Sequence, residues 1–365
     1  MEKMADLDRG QQAIVKALPQ TSPAPPIIRS RPVLTPSVLA QQIPLSASAA
    51  ERVQADRTTV SDILNNRDKR LCVVVGPCSI HDSEAALDYA HNLKRVADRL
   101  ADKLFVIMRV YLEKPRTVIG WKGLLNDPFL DGSYQINRGL RLARQLLYDI
   151  NRIGLACATE FLDTTLWQYY ADLISWGAIG ARTVESQVHR ELASGLGMPI
   201  GMKNRTDGNI QVALDAIIAA RSGHFFLSLG ENGLPAVLET TGNPNCHLVL
   251  RGSRHGGPNY DAKSISTAVA MMQASDVTPI IVVDCSHANS GSDPENQIRV
   301  VDELIAQMRI CPDHIRGVML ESHLVGGRQD AGGRPLANLT YGQSITDACL
   351  SFENTAEVLE RLAEI

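Results

Sequence analysis

LFVIMRVYLEKPRTVIGWKGLLND, residues 104–127, passes within one stretch from a buried strand to a cationic loop. Of its first seven residues all but Arg109 are apolar. A run without alternation is expected of a parallel strand covered on both faces. Arg109 stands near the carboxyl end of that strand, and Lys114, Arg116 and Thr117 follow closely, with Pro115 stiffening the segment between them. Cations and a hydroxyl gathered just past a buried strand point to an anionic ligand, phosphate or carboxylate.

Outward from this strand the same rhythm repeats, a short β-rich run followed by a longer helical pattern. Strands are expected at 71–75, 104–110, 155–159, 178–181, 199–202, 247–250, 280–283 and 317–320, with helices at 84–100, 136–153, 211–220, 265–274 and 297–309. Eight such units over about 295 residues predict an α/β protein, a (β/α)8 TIM barrel whose functional residues collect at the carboxyl ends of the strands. An open doubly wound sheet is the structural alternative. One piece breaks the rhythm: 225–229, then Glu-Asn-Gly, then 236–240 reads as a β-hairpin inserted before strand six, at about 224–240.

Residues 1–66 differ from the barrel at 67–365. Pro19, Pro23, Pro25, Pro26, Pro32, Pro36 and Pro44 leave room only for short helices, at 9–18 and, capped by Ser48, at 49–64. The segment is either a partly disordered tail or an arm that docks on the body or on a neighbouring subunit. Ile27, Ile28, Val33, Leu34 and Leu39 favour docking, since they would otherwise stand in water.

Composition narrows the class. The chain has 365 residues, 44% of them hydrophobic and 21% charged, with net charge −4 and mean hydropathy −0.07. These values predict a globular protein without a nucleic-acid surface. No run approaches the length of a membrane span, and the acidic MEKMADLDRG lacks the features of a signal peptide, so a cytoplasmic, membrane-free protein is expected. The seven cysteines include no CxxC pair, and Cys72, Cys157, Cys246 and Cys285 lie in or beside apolar runs as reduced, buried thiols.

The residues just past each strand are polar in every unit: Cys78 with His81 and Asp82, Arg109 and Lys114, Glu160, Arg182 with Glu185, Lys203, Arg251, Asp284 with His287, and Glu321 with His323. Taken singly, each has an ordinary explanation as a surface ion pair, buried thiol or cap. Taken together in a barrel, they form two chemical sets. Arg109, Lys114, Arg182, Lys203 and Arg251 would repel one another at an empty mouth and predict a small ligand carrying both phosphate and carboxylate. Cys78, His287, Glu321 and Asp347 offer sulfur, nitrogen and oxygen, a mixed set suited to Mn²⁺, Fe²⁺, Co²⁺ or Zn²⁺. His81, Asp82, His189 and His323 are further candidates for the same ion. There is no GxxxxGK[ST] and no GxSxG; the glycine-rich VGGRQDAGGR, 325–334, lacks a dinucleotide-loop context and is expected to be a mobile loop over the mouth.

The motifs GPCSIHD (76–82), MRVYLEKPRTVIGWKGLLND (108–127), SWGAIGARTVESQVHRELASG (175–195), DCSHAN (284–289), ESHLV (321–325) and YGQSITDAC (341–349) closely resemble those of class I 3-deoxy-D-arabino-heptulosonate 7-phosphate (DAHP) synthases. The likeness runs from about residue 62 to the C-terminus. It implies a metal-dependent, aldol-like condensation of phosphoenolpyruvate with erythrose 4-phosphate and water, the first step of the shikimate pathway, with no nucleotide or organic cofactor. Carried over by position, Arg109, Lys114, Arg182, Lys203 and Arg251 would bind phosphoenolpyruvate. Pro115, Arg116 and Thr117, with Asp347, would bind erythrose 4-phosphate, and Cys78, His287, Glu321 and Asp347 would hold the ion. Lys114 would act as general acid, with Glu160 or His287 delivering water.

The same resemblance implies a homo-oligomer, dimer or tetramer, in which the N-terminal arm and the hairpin form subunit contacts and a pocket for an aromatic amino acid. Asp6, Leu7 and Asp8 resemble the effector-contacting motif of the arm. Gly197 stands where related enzymes carry glycine when tyrosine is the inhibitor and serine when phenylalanine is. The KPRT motif and the long arm separate the chain from octulosonate phosphate synthases, which use arabinose 5-phosphate. The complete metal and anion sets separate it from a catalytically inactive regulatory homologue.

Overall fold

A computed structural model describes residues 27–365. The expected helix at 9–18 and the acidic motif Asp6, Leu7 and Asp8 lie outside these residues.

Two helices precede the barrel: α1 (Pro36–Gln42) and α2 (Ala47–Leu64). The first departs from the sequence expectation, which treats the prolines only as breaks. Pro36 opens α1, where a missing N–H costs nothing, and the Thr35 hydroxyl caps it by accepting from the Val38 N–H. The cap of α2 is Ser46 rather than Ser48; its hydroxyl accepts from the Ala49 N–H at 3.2 Å, so the helix begins at Ala47.

The main body then runs β1 (Leu71–Gly76), α3 (Ser83–Arg99), β2 (Leu104–Arg109), α4 (Ile136–Ile153), β3 (Ala156–Glu160), β4 (Trp176–Ile179), α5 (Gln187–Gly195), β5 (Ile200–Lys203) and α6 (Gln211–Arg221). The hairpin follows as β6 (Phe225–Leu229) and β7 (Pro235–Glu239), antiparallel and separate from the main sheet. The barrel resumes with β8 (Cys246–Leu250), α7 (Ala262–Ala274), β9 (Ile281–Asp284), α8 (Asn296–Ile310) and β10 (Ile315–Glu321). The remaining elements are β11 (Val325–Arg328), β12 (Gln343–Ser344) and α9 (Phe352–Leu362).

Eight parallel strands close in the order β1-β10-β9-β8-β5-β4-β3-β2, which sets aside the open sheet. All eight expected strands are present, with ends displaced by up to about two residues, as strand assignments by apolar run allow. The third unit has no α-helix. Its connection is two single turns, Trp167–Tyr169 and Ala171–Leu173, around the buried rings of Tyr169 and Tyr170. Among the described residues no helix is long and apolar enough to cross a membrane.

Side chains inside the barrel form their own cluster. Cys72, Val74, Ile107, Ala156, Ala158, Trp176, Ala178, Val249, Val282 and Met319 meet Val60, Ile63 and Leu64 of α2, which therefore forms the floor. Small residues make room for Trp176: a Cβ on Gly201 would lie 2.6 Å from its ring. Burying Val60 or Ile63 stabilises by roughly 1.5–3 kcal/mol each, enough to tie α2 to the barrel. Arg316 on β10 adds polar ties, donating to the carbonyls of Ile63, Asp68 and Arg70.

Candidate active site

Closure divides the mouth into two arcs. Running round the barrel, β2, β3, β4, β5 and β8 are contiguous, and so are β9, β10 and β1. The first arc carries Arg109 and Lys114 after or at the end of β2, Arg182 after β4, Lys203 at the end of β5 and Arg251 after β8. The second carries His287 after β9, Glu321 at the end of β10 and Cys78 after β1.

In the second arc, ligand atoms of Cys78, Glu321 and Asp347 lie within 4.8 Å of one another. The Nε2 of His287 faces the same place, 3.7 Å from Glu321 Oε1. Its other ring nitrogen is held from behind, 3.0 Å from Asp284 Oδ2 and 2.7 Å from Ser286 Oγ. His287 adopts φ of +57°, a conformation that L side chains rarely take and that this network sustains. A sulfur and two carboxylates this close, with an imidazole nitrogen beside one of the carboxylates rather than within the same 4.8 Å group, fit a divalent ion of the kind expected. Burial, with Glu321 adding to it, pushes the Cys78 thiol up to about 12.

His81, Asp82, His189 and His323 do not join this cluster. Asp82 caps α3 by accepting from the Glu84 and Ala85 N–H groups. His189 is engaged by Ser186 and the Leu162 carbonyl. His323 is buried and accepts from the Leu324 N–H, and burial lowers its ring to about 3. His81 is buried beside His323 in an edge-on contact, with ring centroids 6.2 Å apart.

The first arc meets the second through β2. Arg109, wholly buried, donates to Glu321 Oε1 at 2.9 Å, and Lys114 Nζ donates to Cys78 Sγ at 3.0 Å. Lys114 also stands 3.7 Å from Asp347. Burial works against the Lys114 charge, but Cys78, Glu321 and Asp347 outweigh it and hold the ammonium above its ordinary range. Lys203, buried at the end of β5, donates to Asp284 Oδ2 at 3.0 Å. Asp284 is pushed up by burial and pulled further down by His287 and Lys203, so it remains a carboxylate well below its usual range.

Arg251 is less well compensated. Burial lowers it, Asp284 pulls against that, and the neighbouring Arg182 adds to the lowering. Arg182 and Arg251 line a cavity of about 590 Å³ together with His287, Glu321 and Asp347. Uncompensated guanidinium charge beside the second arc is what an anionic ligand would neutralise. Glu160 ends β3 on the same side. Gly180 makes room for it: a Cβ there would lie 2.2 Å from Glu160 Oε1.

Pro115, Arg116 and Thr117 do not line that cavity. They sit on the loop after β2 with Arg116 and Thr117 exposed, and the Arg116 Nε donates to the Trp121 carbonyl at 2.7 Å. Gly197 lies between α5 and β5, with open space beside it except for Arg57 Nη1, 3.4 Å from where a Cβ would stand. The glycine-rich segment differs from the expected mobile loop. Its first part is strand β11, paired with β12, and Gly327 exchanges backbone hydrogen bonds with Cys349, so it braces the segment that carries Asp347.

Asp284 was recognised only as a polar strand end, although it bridges Lys203 and His287. Ser286, Tyr111 and Glu113 were missed. A charged residue closing the apolar run IVVD was the available signal for Asp284; Glu113 beside Lys114 reads in sequence as one half of a solvated pair. Glu113 is in fact buried and accepts from the Asp163 N–H at 3.3 Å. Burial first, and then Asp163 and Glu160, raise its carboxyl from 4.5 to about 7. The folded state thus retains a proton that the unfolded chain releases above about pH 4.5. Stability from this group falls as pH rises from that value through 7. Glu113→Gln should remove the loss, gaining on the order of 3 kcal/mol above pH 7 and flattening the decline in Tm between about pH 4.5 and 7. Parallel Tm profiles for the two proteins would refute the assignment.

The sequence matches the DAHP synthetase I family over residues 42–360. It is 49% identical over 333 residues to the Trp-sensitive phospho-2-dehydro-3-deoxyheptonate aldolase of Enterobacter agglomerans, covering 91% of this chain and 94% of that one. It is 48% identical over 340 residues to the tyrosine-inhibited enzyme of that name from Schizosaccharomyces pombe, covering 93% and 91%. The solved phospho-2-dehydro-3-deoxyheptonate aldolase of Francisella tularensis superposes with a TM-score of 0.90 at 49% identity, over 93% of this chain and 98% of that one.

Proposed function

The chain belongs to the DAHP synthetase I family, and from that premise we propose how its two arcs divide the work of condensing phosphoenolpyruvate with erythrose 4-phosphate and water to DAHP and phosphate. The observation that carries the reading is the cavity in which Arg182 and Arg251 stand beside His287, Glu321 and Asp347. Five cations, Arg109, Lys114, Arg182, Lys203 and Arg251, hold the phosphate and carboxylate of phosphoenolpyruvate. Cys78, His287, Glu321 and Asp347 would hold a divalent ion, which would supply Lewis-acid polarisation at the aldehyde oxygen.

The chain's own residues do the rest. Lys114, charged and in contact with Cys78 and Asp347, is placed to donate a proton to the oxygen that becomes an alkoxide when C3 of phosphoenolpyruvate bonds to the aldehyde carbon. Glu160 accepts a proton from the water that adds at C2, after which phosphate leaves with cleavage of its C–O bond; His287, with Nε2 toward the ion site and Nδ1 held by Asp284 and Ser286, serves as ligand rather than base. Positioning two anions that would repel in water accounts for much of the barrier lowering, roughly 7–11 kcal/mol for well-oriented reactants.

Pro115, Arg116 and Thr117, with Asp347, receive the sugar phosphate, the Arg116 guanidinium leaving Trp121 to do so. Arg116→Ala should raise KM for erythrose 4-phosphate by about 10- to 100-fold, the worth of a charge-assisted hydrogen bond, and leave that for phosphoenolpyruvate unchanged. Equal effects on both constants would show that this loop does not belong to one substrate.

The deciding experiment offers phosphoenolpyruvate with erythrose 4-phosphate or with arabinose 5-phosphate and follows phosphate release in Mn²⁺. Turnover with the first alone is expected; turnover with the second alone makes the enzyme an octulosonate phosphate synthase, and none with either makes it an inactive homologue. The names of the relatives, Trp-sensitive and tyrosine-inhibited, support feedback by an aromatic amino acid; in our reading it acts through the segment 1–66 and the hairpin of β6 and β7 in a homo-oligomer. Asp6, Asp8 and Gly197 would contact the effector, and tyrosine is favoured. Initial rates with tyrosine, tryptophan and phenylalanine identify it.

A further inference from the structure

Tyr111 follows β2 by two residues and belongs to neither arc's ligand set, yet its ring lies against two cations of the first arc. It is 2% exposed, and its backbone is fixed, its carbonyl accepting from the Ile80 N–H at 2.9 Å. The guanidinium carbon of Arg109 stands 3.9 Å from the centre of its ring, and Lys203 Nζ stands 5.9 Å from that same centre. Both cations are themselves buried. Among the described residues its hydroxyl, also buried, has no hydrogen-bond partner.

Two cations in one dry pocket repel. Each has a carboxylate, Glu321 for Arg109 and Asp284 for Lys203, but both carboxylates come from the second arc and would draw the cations toward it. The electron-rich face of an aromatic ring attracts a cation without neutralising it. A ring can therefore hold Arg109 and Lys203 while leaving their charge available to an anion, which a third carboxylate could not do.

We propose that Tyr111 is a positioning residue for phosphoenolpyruvate, its ring holding Arg109 and Lys203 in place for the incoming carboxylate and phosphate. This rests on the assignment of those cations to phosphoenolpyruvate. The ring carries the role and the hydroxyl does not, since the hydroxyl makes no hydrogen bond to either cation.

The test measures phosphoenolpyruvate binding by calorimetry in Mn²⁺, together with KM for each substrate and Tm. Tyr111→Phe should bind within about twofold of the unaltered enzyme. Tyr111→Leu should bind about tenfold more weakly, with KM for erythrose 4-phosphate unchanged. Because Tyr111→Leu also removes core volume, ring-fluorinated phenylalanines at the position supply a series of nearly constant shape and falling ring charge. Affinity should weaken stepwise along it while Tm stays level. A flat series, a Tyr111→Phe enzyme as weak as Tyr111→Leu, or equal loss for both substrates overturns the proposal. Failure of the unaltered enzyme to bind phosphoenolpyruvate overturns the site reading, and this proposal with it.

Discussion

Cys78→Ala should lower turnover by on the order of a thousandfold or more, the several kcal/mol that a bound ion contributes at a developing alkoxide. The sulfur lies 3.0 Å from Lys114 Nζ and 3.5 Å from Asp347 Oδ2, so its loss also frees the lysine that is to donate the proton. With its proton on up to about 12, the thiol must lose it to serve as a ligand. Ion affinity should therefore fall as pH is lowered, and Cys78→Ala should shrink that dependence. Metal content after dialysis and steady-state rates in Mn²⁺ are the measurements. Undiminished activity of the variant after chelation would end the assignment of the ion to this cluster.

Arg109→Ala acts on stability as well as on binding. Arg109 and Glu321 are both nearly inaccessible and 2.9 Å apart, and removing one partner leaves a buried charge uncompensated, at about 3–5 kcal/mol. The midpoint of denaturant unfolding should fall accordingly, and KM for phosphoenolpyruvate should rise far more than that for erythrose 4-phosphate. Arg109→Met with Glu321→Gln should recover most of the stability, because an apolar and neutral pair needs no compensation, and none of the activity. An Arg109→Ala protein that unfolds at the midpoint of the unaltered enzyme would show that this pair does not hold the mouth together.

Strand positions were legible because each barrel strand is an apolar run closed by polar residues, and the residue that closes it faces the mouth whatever its exact register. That is why Cys78, His287 and Glu321 could be gathered from distant positions, and why the five cations could be separated from them; Asp347, beyond β12, closes no barrel strand. What the sequence conceals is the direction of a side chain beyond its own element. Glu113 and Arg116 flank the same lysine and proline, yet one is buried against Asp163 and the other lies in solvent against Trp121. Tyr111 reads as core, and only the closed barrel sets Lys203 opposite it. The turns at 167–173 and the start of α2 were missed for local reasons, since aromatic packing and a choice between two nearby serines are decided by contacts that no periodicity encodes.

The pairing of β1 with β10 has a consequence for how the molecule is made. The strand that completes the barrel is the last barrel strand to leave the ribosome, so closure of the sheet joins segments from opposite ends of the chain and is among the slower steps. The helix α2 is synthesised early, yet its Val60, Ile63 and Leu64 have their full seat only after Met319 of β10 has arrived. A nascent chain therefore carries this apolar face uncovered through most of its synthesis. A shortening of the N-terminus that removes α2 through Leu64 would accordingly take away the late-docking floor of the finished core, and its first symptom would be poor yield of folded protein.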